Sequence, residues 1–154
     1  MSLLQSVLWL CVGAYALHIL EEFVFDWCNW AKHVLGLKVE WDHFYVTNAI
    51  VLVLGVVAVQ MAPRWPAVAL AYPALMLIDA SFFHVLPFAV NRGRFSPGLL
   101  TAVLLFYPLG IWAFCTAGAG RGAVAEAFVI GAILMAAPVV MLQVRFHPYF
   151  HRKS

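Results

Sequence analysis

His18, Glu21 and Glu22 occur together in the segment His-Ile-Leu-Glu-Glu, inside the first apolar stretch of the chain. At offsets of three and four residues, both carboxylates share a helical face with the imidazole. Imidazoles and carboxylates bind divalent metals and transfer protons. An ionisable side chain at the centre of a membrane helix costs about 2.5–3.5 kcal/mol, so a buried cluster of three indicates a functional site.

The spacing of this segment is related to the zinc peptidase motif His-x-x-Glu-His, in which the outer residues bind zinc and the central Glu is the base. We therefore predict His18 and Glu22 as metal ligands and Glu21 as the catalytic base. His84 is predicted as the third ligand, which leaves one position open for water, as in catalytic zinc sites.

Asp79 and Asn48 are predicted to support this site, because a metal-bound histidine donates its second ring N–H to a neighbouring acceptor. A di-iron or di-manganese centre is the alternative metal site, built from His18, His84 and three carboxylates. Carboxylate-rich bundles of that kind use two Glu-x-x-His pairs, whereas the order in the first helix is reversed here. Hydrogen-bonded structural groups and a proton relay are the alternatives without a metal.

The composition is that of a membrane protein. Of 154 residues, 65% are hydrophobic and 10% charged, whereas a soluble domain has about 25% charged residues. The length predicts one domain covering residues 1–154. A formal net charge of +2 is too small to predict nucleic acid binding. Three cysteines without a Cys-x-x-Cys pair predict neither a disulfide framework nor a thiolate metal site.

Five apolar stretches are long enough to cross a membrane, which takes about 20 residues. They cover residues of about 3–25, 44–62, 66–90, 97–117 and 123–145. Residues 26–43 contain Trp27 and Trp30 at helical spacing, which predicts a short interfacial helix or an ordered loop that caps the bundle. The predicted fold is an all-α membrane protein, a bundle of five transmembrane helices with an interfacial segment after the first.

The basic residues are unevenly distributed across this topology. Seven lie on the C-terminal side, namely Lys32, Lys38, Arg92, Arg94, Arg145, Arg152 and Lys153, and only Arg64 and Arg121 lie opposite. Lys and Arg are enriched in cytoplasmic loops. We therefore expect a multi-pass protein of the bacterial inner membrane with its N-terminus outside and its C-terminus, including the tail after residue 146, in the cytoplasm.

The topology brings the polar residues of four spans to one depth near the cytoplasmic side. The candidate catalytic residues at this depth are Glu21, Asn48, Asp79 and Thr101, and the candidate metal ligands are His18, Glu22 and His84. The start of the fourth span lies beside them, where Ser96 and Gly98 are predicted to bring backbone close to the substrate. Arg92 and Arg94 at the same mouth are predicted contacts of a lipid phosphate.

A known family shows this pattern. The segment His18-Ile-Leu-Glu21-Glu22, followed by Asn48, His84 and Ser96-Pro97-Gly98-Leu-Leu-Thr101-Ala102, resembles the HXXEE-domain family of small bacterial membrane proteins in order and spacing. The resemblance covers roughly residues 15–110. It implies a family presumed to be enzymatic, without an assigned reaction. An Asn is frequent near position 79 in that family, so Asp79 is a departure.

These observations predict a metal-dependent membrane enzyme. A bound divalent metal, with zinc preferred, would activate water for attack on an ester, amide or phosphate group of a lipid or other apolar small molecule. A di-iron membrane oxidoreductase and a non-enzymatic binding or proton-relay protein are the alternatives. Membrane lipids are the expected partners, nucleic acid is not expected, and a homo-oligomer is compatible with this interpretation.

Overall fold

The structure, a computed structural model, describes residues 1–145, so the predicted cytoplasmic tail after residue 146 lies outside the described residues. Within that range the chain is all helical, without a strand. The helices are α1 (Leu3–Val24), α2 (Trp27–Trp30), α3 (Trp41–Met61), α4 (Pro66–Val90), α5 (Leu99–Ala117) and α6 (Arg121–Arg145).

Four of these helices, α1, α3, α4 and α5, are long and apolar enough to cross a membrane, rather than the five predicted. The fifth predicted span, 123–145, does form a helix, α6, of 25 residues. Its C-terminal end borders the part of the chain that the structure does not describe. For the described chain, the predicted number of candidate spans is therefore corrected from five to four, and the helical membrane fold stands.

The helix boundaries follow local sequence signals. The Ser2 hydroxyl accepts from the Gln5 N–H while the Gln5 side chain accepts from the Ser2 N–H, which is a capping box at the start of α1. Pro66 occupies the first turn of α4, where no N–H is needed. Helix α3 begins at Trp41, inside the predicted interfacial segment and three residues before the predicted start at 44.

Small residues allow the helices to approach closely. A Cβ at Gly55 of α3 would lie 2.6 Å from the Tyr72 ring of α4, and one at Gly131 of α6 would lie 2.9 Å from the Leu75 nitrogen. Contacts of this kind hold membrane helices together, because apolar side chains gain little by leaving lipid. Large apolar side chains such as Leu20, Val53 and Leu104 are exposed on the outside of the bundle.

The segment between α1 and α3 is an ordered cap on the bundle. After α2, the chain makes a π-helical turn at Ala31–Leu35 and continues without regular structure to α3. Cys28 and Val39 are buried and pack with Phe44 and Ile19. This packing agrees with the capping loop, one of the two predicted forms of residues 26–43.

Two further π-helical turns interrupt the long helices, at Ala80–Val85 in α4 and at Ala102–Phe106 in α5. They directly follow Asp79 and Thr101. In an α-helix, residues five apart point about 140° away from each other, whereas the i→i+5 bonds of a π-helix bring them closer to one face. The turn in α4 therefore brings Asp79 and His84 towards the same side of the helix.

Candidate metal centre

The centre of the site is formed by two helices. α1 contributes His18 and Glu22, and α4 contributes Asp79 and His84. All four side chains are buried, with exposed fractions of 1%, 6%, 6% and 0% respectively. The residues predicted from different spans to lie at one depth therefore meet inside the bundle.

The Nε2 atoms of both histidines face the same two carboxylate oxygens. Asp79 Oδ2 lies 3.3 Å from His18 Nε2 and 3.4 Å from His84 Nε2. Glu22 Oε1 lies 3.6 Å and 3.7 Å from the same two nitrogens. The ligand atoms of His18, Asp79 and His84 all lie within 4.8 Å of one another. Glu22 does not belong to that group of three, although its Oε1 faces both histidines. We refer to His18 Nε2, His84 Nε2, Asp79 Oδ2 and Glu22 Oε1 as the four-atom cluster.

The second ring nitrogen of His18 is fixed by a hydroxyl. His18 Nδ1 lies 2.7 Å from Thr101 Oγ1, and that hydroxyl donates to Glu21 Oε2 at 2.6 Å. A threonine hydroxyl has one hydrogen. Because that hydrogen is donated to Glu21, the Thr101 oxygen accepts a hydrogen bond from His18. His18 therefore carries its proton on Nδ1 and presents an Nε2 lone pair to the cluster.

His84 is arranged in the same way. Its Nδ1 lies 3.3 Å from Ser96 Oγ, which is positioned to donate to the Phe83 and Pro97 carbonyls, each at 3.5 Å. When Ser96 donates to one of these carbonyls, it accepts from His84 Nδ1, and the Nε2 lone pair of His84 also faces the carboxylates. Asn48 and Asp79 were predicted for this supporting position, but the hydroxyls of Thr101 and Ser96 occupy it.

In the tautomers that carry the proton on Nδ1 of each imidazole, the four-atom cluster consists of hydrogen-bond acceptors alone. Asp79 Oδ2 and His84 Nε2 are buried and have no hydrogen-bond partner among the described residues. Buried acceptors without partners cost free energy, and a buried carboxylate costs more when no cation lies beside it. A cation between His18, Asp79 and His84 would remove these penalties, so this donor set suits a divalent metal ion.

Glu21 is directed elsewhere. Its Oε1 accepts from the Leu100 N–H at 3.0 Å, and its Oε2 accepts from the Thr101 N–H at 2.8 Å and from the Thr101 hydroxyl. A carboxylate at a helix N-terminus is favourable, since it satisfies free N–H groups and meets the positive end of the helix dipole. The predicted role as a base requires an oxygen facing the cluster, and both oxygens of Glu21 are engaged at α5.

Gly98 packs its backbone against both imidazoles. A Cβ at this position would lie 2.5 Å from His84 Cε1 and 2.6 Å from His18 Cε1. Its φ of +90° is also one that other residues rarely adopt. The motif Ser96-Pro97-Gly98 therefore holds the two histidines from the side of α5, through the Ser96 hydroxyl and the absence of a side chain at Gly98.

A cavity of about 90 Å³ adjoins the cluster. His18, Glu22 and Asp79 form its polar end, and Asn48 and Thr47 lie in its wall. The remaining lining residues are mostly aromatic or aliphatic side chains, among them Trp27 from the cap. Sequence reasoning missed Trp27 as a cavity residue, because its position depends on how the cap folds back over α1.

Arg92 and Arg94 lie outside this site. Both are exposed in the turn after α4, where Arg92 has a φ of 56°, and neither lines the cavity.

A second group of possible ligand atoms lies at the start of α3. The atoms belong to Glu40, Asp42 and His43 and lie within 4.8 Å of one another. Glu40 and Asp42 are exposed, and only His43 reaches the cavity wall.

Comparison with known proteins agrees with the motif. A family described as "Protein of unknown function with HXXEE motif" matches residues 9–113, about two thirds of the chain. The chain belongs to this family. No curated protein and no solved structure matches it. The part of this HXXEE protein that matches contains every residue of the four-atom cluster, together with Ser96, Gly98 and Thr101.

Proposed function

We propose that this HXXEE protein is a membrane-embedded metalloenzyme with one divalent metal ion, held by His18, Asp79 and His84, that hydrolyses a lipid or other apolar small molecule. The observation that carries the proposal is the four-atom cluster. In this buried cluster, each histidine Nε2 lies 3.3–3.7 Å from the Asp79 and Glu22 oxygens, and a hydroxyl group lies beside the Nδ1 atom of each histidine. An ordinary hydrogen-bonded polar core would place donors opposite acceptors.

The donor set supports zinc. Zinc binds imidazole nitrogens and carboxylate oxygens, and Asp79 Oδ2 lies 3.3 Å and 3.4 Å from the two histidine nitrogens. Two histidines, one carboxylate and an open position also form the ligand set of catalytic zinc sites.

Glu22 takes the role of base in this proposal, in place of Glu21. Its Oε1 lies slightly further from the two Nε2 atoms than Asp79 Oδ2 does. A bound zinc ion would supply a water with a pKa of about 7. Glu22 would accept a proton from that water as the water oxygen bonds to the substrate's acyl carbon. It would return the proton to the leaving alcohol or amine as the bond to that group breaks.

The dinuclear alternative has less support. A second ion would need further carboxylates, and Glu21, the nearest in sequence, accepts hydrogen bonds from the Leu100 and Thr101 N–H groups.

A proton relay through the membrane would need polar groups beyond the cluster. The α1 residues on the N-terminal side of His18 that are buried are apolar or neutral, such as Leu8, Cys11 and Ala14.

We also propose that α6 crosses the membrane as the fifth span, in a bacterial inner membrane. It packs along α4 through Gly131, and its exposed side chains Val129, Ile133 and Val140 are apolar. The chain then has its N-terminus outside and the metal site near the cytoplasmic leaflet. The basic residues of the cap and of the 91–94 turn support this orientation.

Cobalt(II), which absorbs visible light when bound in zinc sites, tests the proposal. The protein in detergent micelles should bind about one cobalt ion per chain and show tetrahedral absorption bands, and Asp79→Asn should lose both. Glu22→Gln should keep the cobalt and lose hydrolysis of a membrane lipid extract, measured as released carboxylic acid. Equal loss of cobalt in Glu22→Gln would make Glu22 a ligand and remove it as the base.

A further inference from the structure

The cavity beside the four-atom cluster describes the chemical class of its occupant. Resting on the function proposed above, we propose that the substrate presents an uncharged short acyl group, as an ester or amide, to this cavity. A phosphate ester and a free carboxylate are the classes that this inference excludes.

Charge is the first argument. The described residues that line the cavity include no Lys or Arg, and they include the two carboxylates Glu22 and Asp79. The wall's histidine outside the four-atom cluster, His43, lies 2.9 Å from a carboxylate oxygen of Asp42. A divalent ion and these two carboxylates together have no net charge. An anionic reacting group would therefore enter a buried site without a counter-charge, which costs far more than burying a neutral group. Arg92 and Arg94 do not offset this cost, because neither belongs to the wall.

The volume of the cavity limits the size of the group that can enter it. The cavity has a volume of about 90 Å³, and an engineered apolar cavity of about 150 Å³ in another protein binds benzene. A group smaller than a benzene ring therefore fits beside the metal ligands. The remainder of a lipid-like substrate would extend beyond the cavity towards the cap or the surrounding membrane.

Hydroxamic acids test this inference in the cobalt-loaded protein. They are uncharged in solution, contain an acyl group, and release a proton when their oxygens bind a metal; Glu22 is placed to accept that proton. Acetohydroxamic acid should shift the cobalt absorption bands in a saturable titration. Benzohydroxamic acid should bind about tenfold more weakly, because its ring overfills the cavity. Inorganic phosphate should leave the spectrum unchanged.

A response to phosphate equal to that of acetohydroxamic acid, or equal affinities for acetohydroxamic and benzohydroxamic acid, would overturn the inference while the metal centre stands. Absence of bound cobalt would overturn both.

Discussion

The imidazoles of His18 and His84 meet edge to face, with 4.7 Å between ring centroids and 86° between ring planes. This arrangement points both Nε2 atoms at Asp79 Oδ2, at 3.3 Å and 3.4 Å. The Nδ1 atom of His18 lies beside the Thr101 hydroxyl, and that of His84 lies beside the Ser96 hydroxyl. The loop and first turn of α5 therefore orient two ligands that belong to two other helices.

Gly98→Ala should abolish metal binding. The added Cβ would lie within 2.6 Å of atoms in both imidazoles, and the positive φ adds strain of about 1–3 kcal/mol. Gly93→Ala is the matched control, since Gly93 also has a positive φ, of +78°, but the nearest atom to an added Cβ is 3.8 Å away. Metal content and thermal unfolding in detergent should show destabilisation in both variants and metal loss in Gly98→Ala alone.

Thr101→Val should weaken metal binding about 10- to 100-fold, the usual effect of removing a hydrogen bond to a metal-binding histidine. Valine has the shape of threonine but cannot accept from His18 Nδ1, so the ring loses its fixed tautomer and orientation. Thr101→Ser keeps the hydroxyl and should bind metal normally. Competition with a chromogenic zinc chelator measures both affinities; a serine variant as weak as the valine variant would refute the orienting role.

Glu21→Gln should lower stability by about 1–2 kcal/mol, because a neutral amide has one acceptor oxygen where the carboxylate receives three hydrogen bonds. Glu126→Gln on the exposed side of α6 is the control and should be close to neutral. Glu21→Gln should still bind its metal, but with lower affinity, because Thr101 is then held less firmly against His18. Complete loss of metal without loss of stability would instead make Glu21 a ligand and revive the dinuclear centre.

Much of this site can be predicted from the sequence. The apolar stretches define the long helices, with 66–90 predicted and Pro66–Val90 observed. His18 and His84 lie in the second halves of the first and third predicted spans. Because adjacent spans run in opposite directions, these two spans end on the same side of the membrane, and the histidines come to the same depth. Asn48 also reaches the cavity wall as expected.

The division of roles between Glu21 and Glu22 could not be predicted. Neighbouring residues of a helix point about 100° apart, so only one of the two carboxylates can face His84. Which one does depends on the rotation of α1 against α4 and α5. The π-helical turn after Asp79 is likewise set by tertiary packing and leaves no clear signal in residue types. Gly98 does indicate a close approach of the backbone, but its residue type does not show that the two imidazoles are what it contacts.

The orientation in the membrane gives a prediction independent of the metal. In a variant without native cysteines, single cysteines at positions 35 and 93 should resist a membrane-impermeant thiol reagent applied to intact cells, and a cysteine at position 64 should react. Position 152, beyond the described residues, should behave like 35 and 93 if α6 crosses the membrane. Labelling at 35 and 93 but not at 64 would reverse the orientation.

The metal content of the purified protein tests the central claim most directly. Protein extracted in detergent without added metal, and analysed by mass spectrometry for all transition metals, should contain close to one zinc ion per chain and be colourless. His84→Ala should contain none, while His33→Ala, whose imidazole lies on the exposed side of the cap, should match the unmodified protein. Folded protein without metal above background, or with two iron ions per chain, would contradict a single metal centre held by His18, Asp79 and His84.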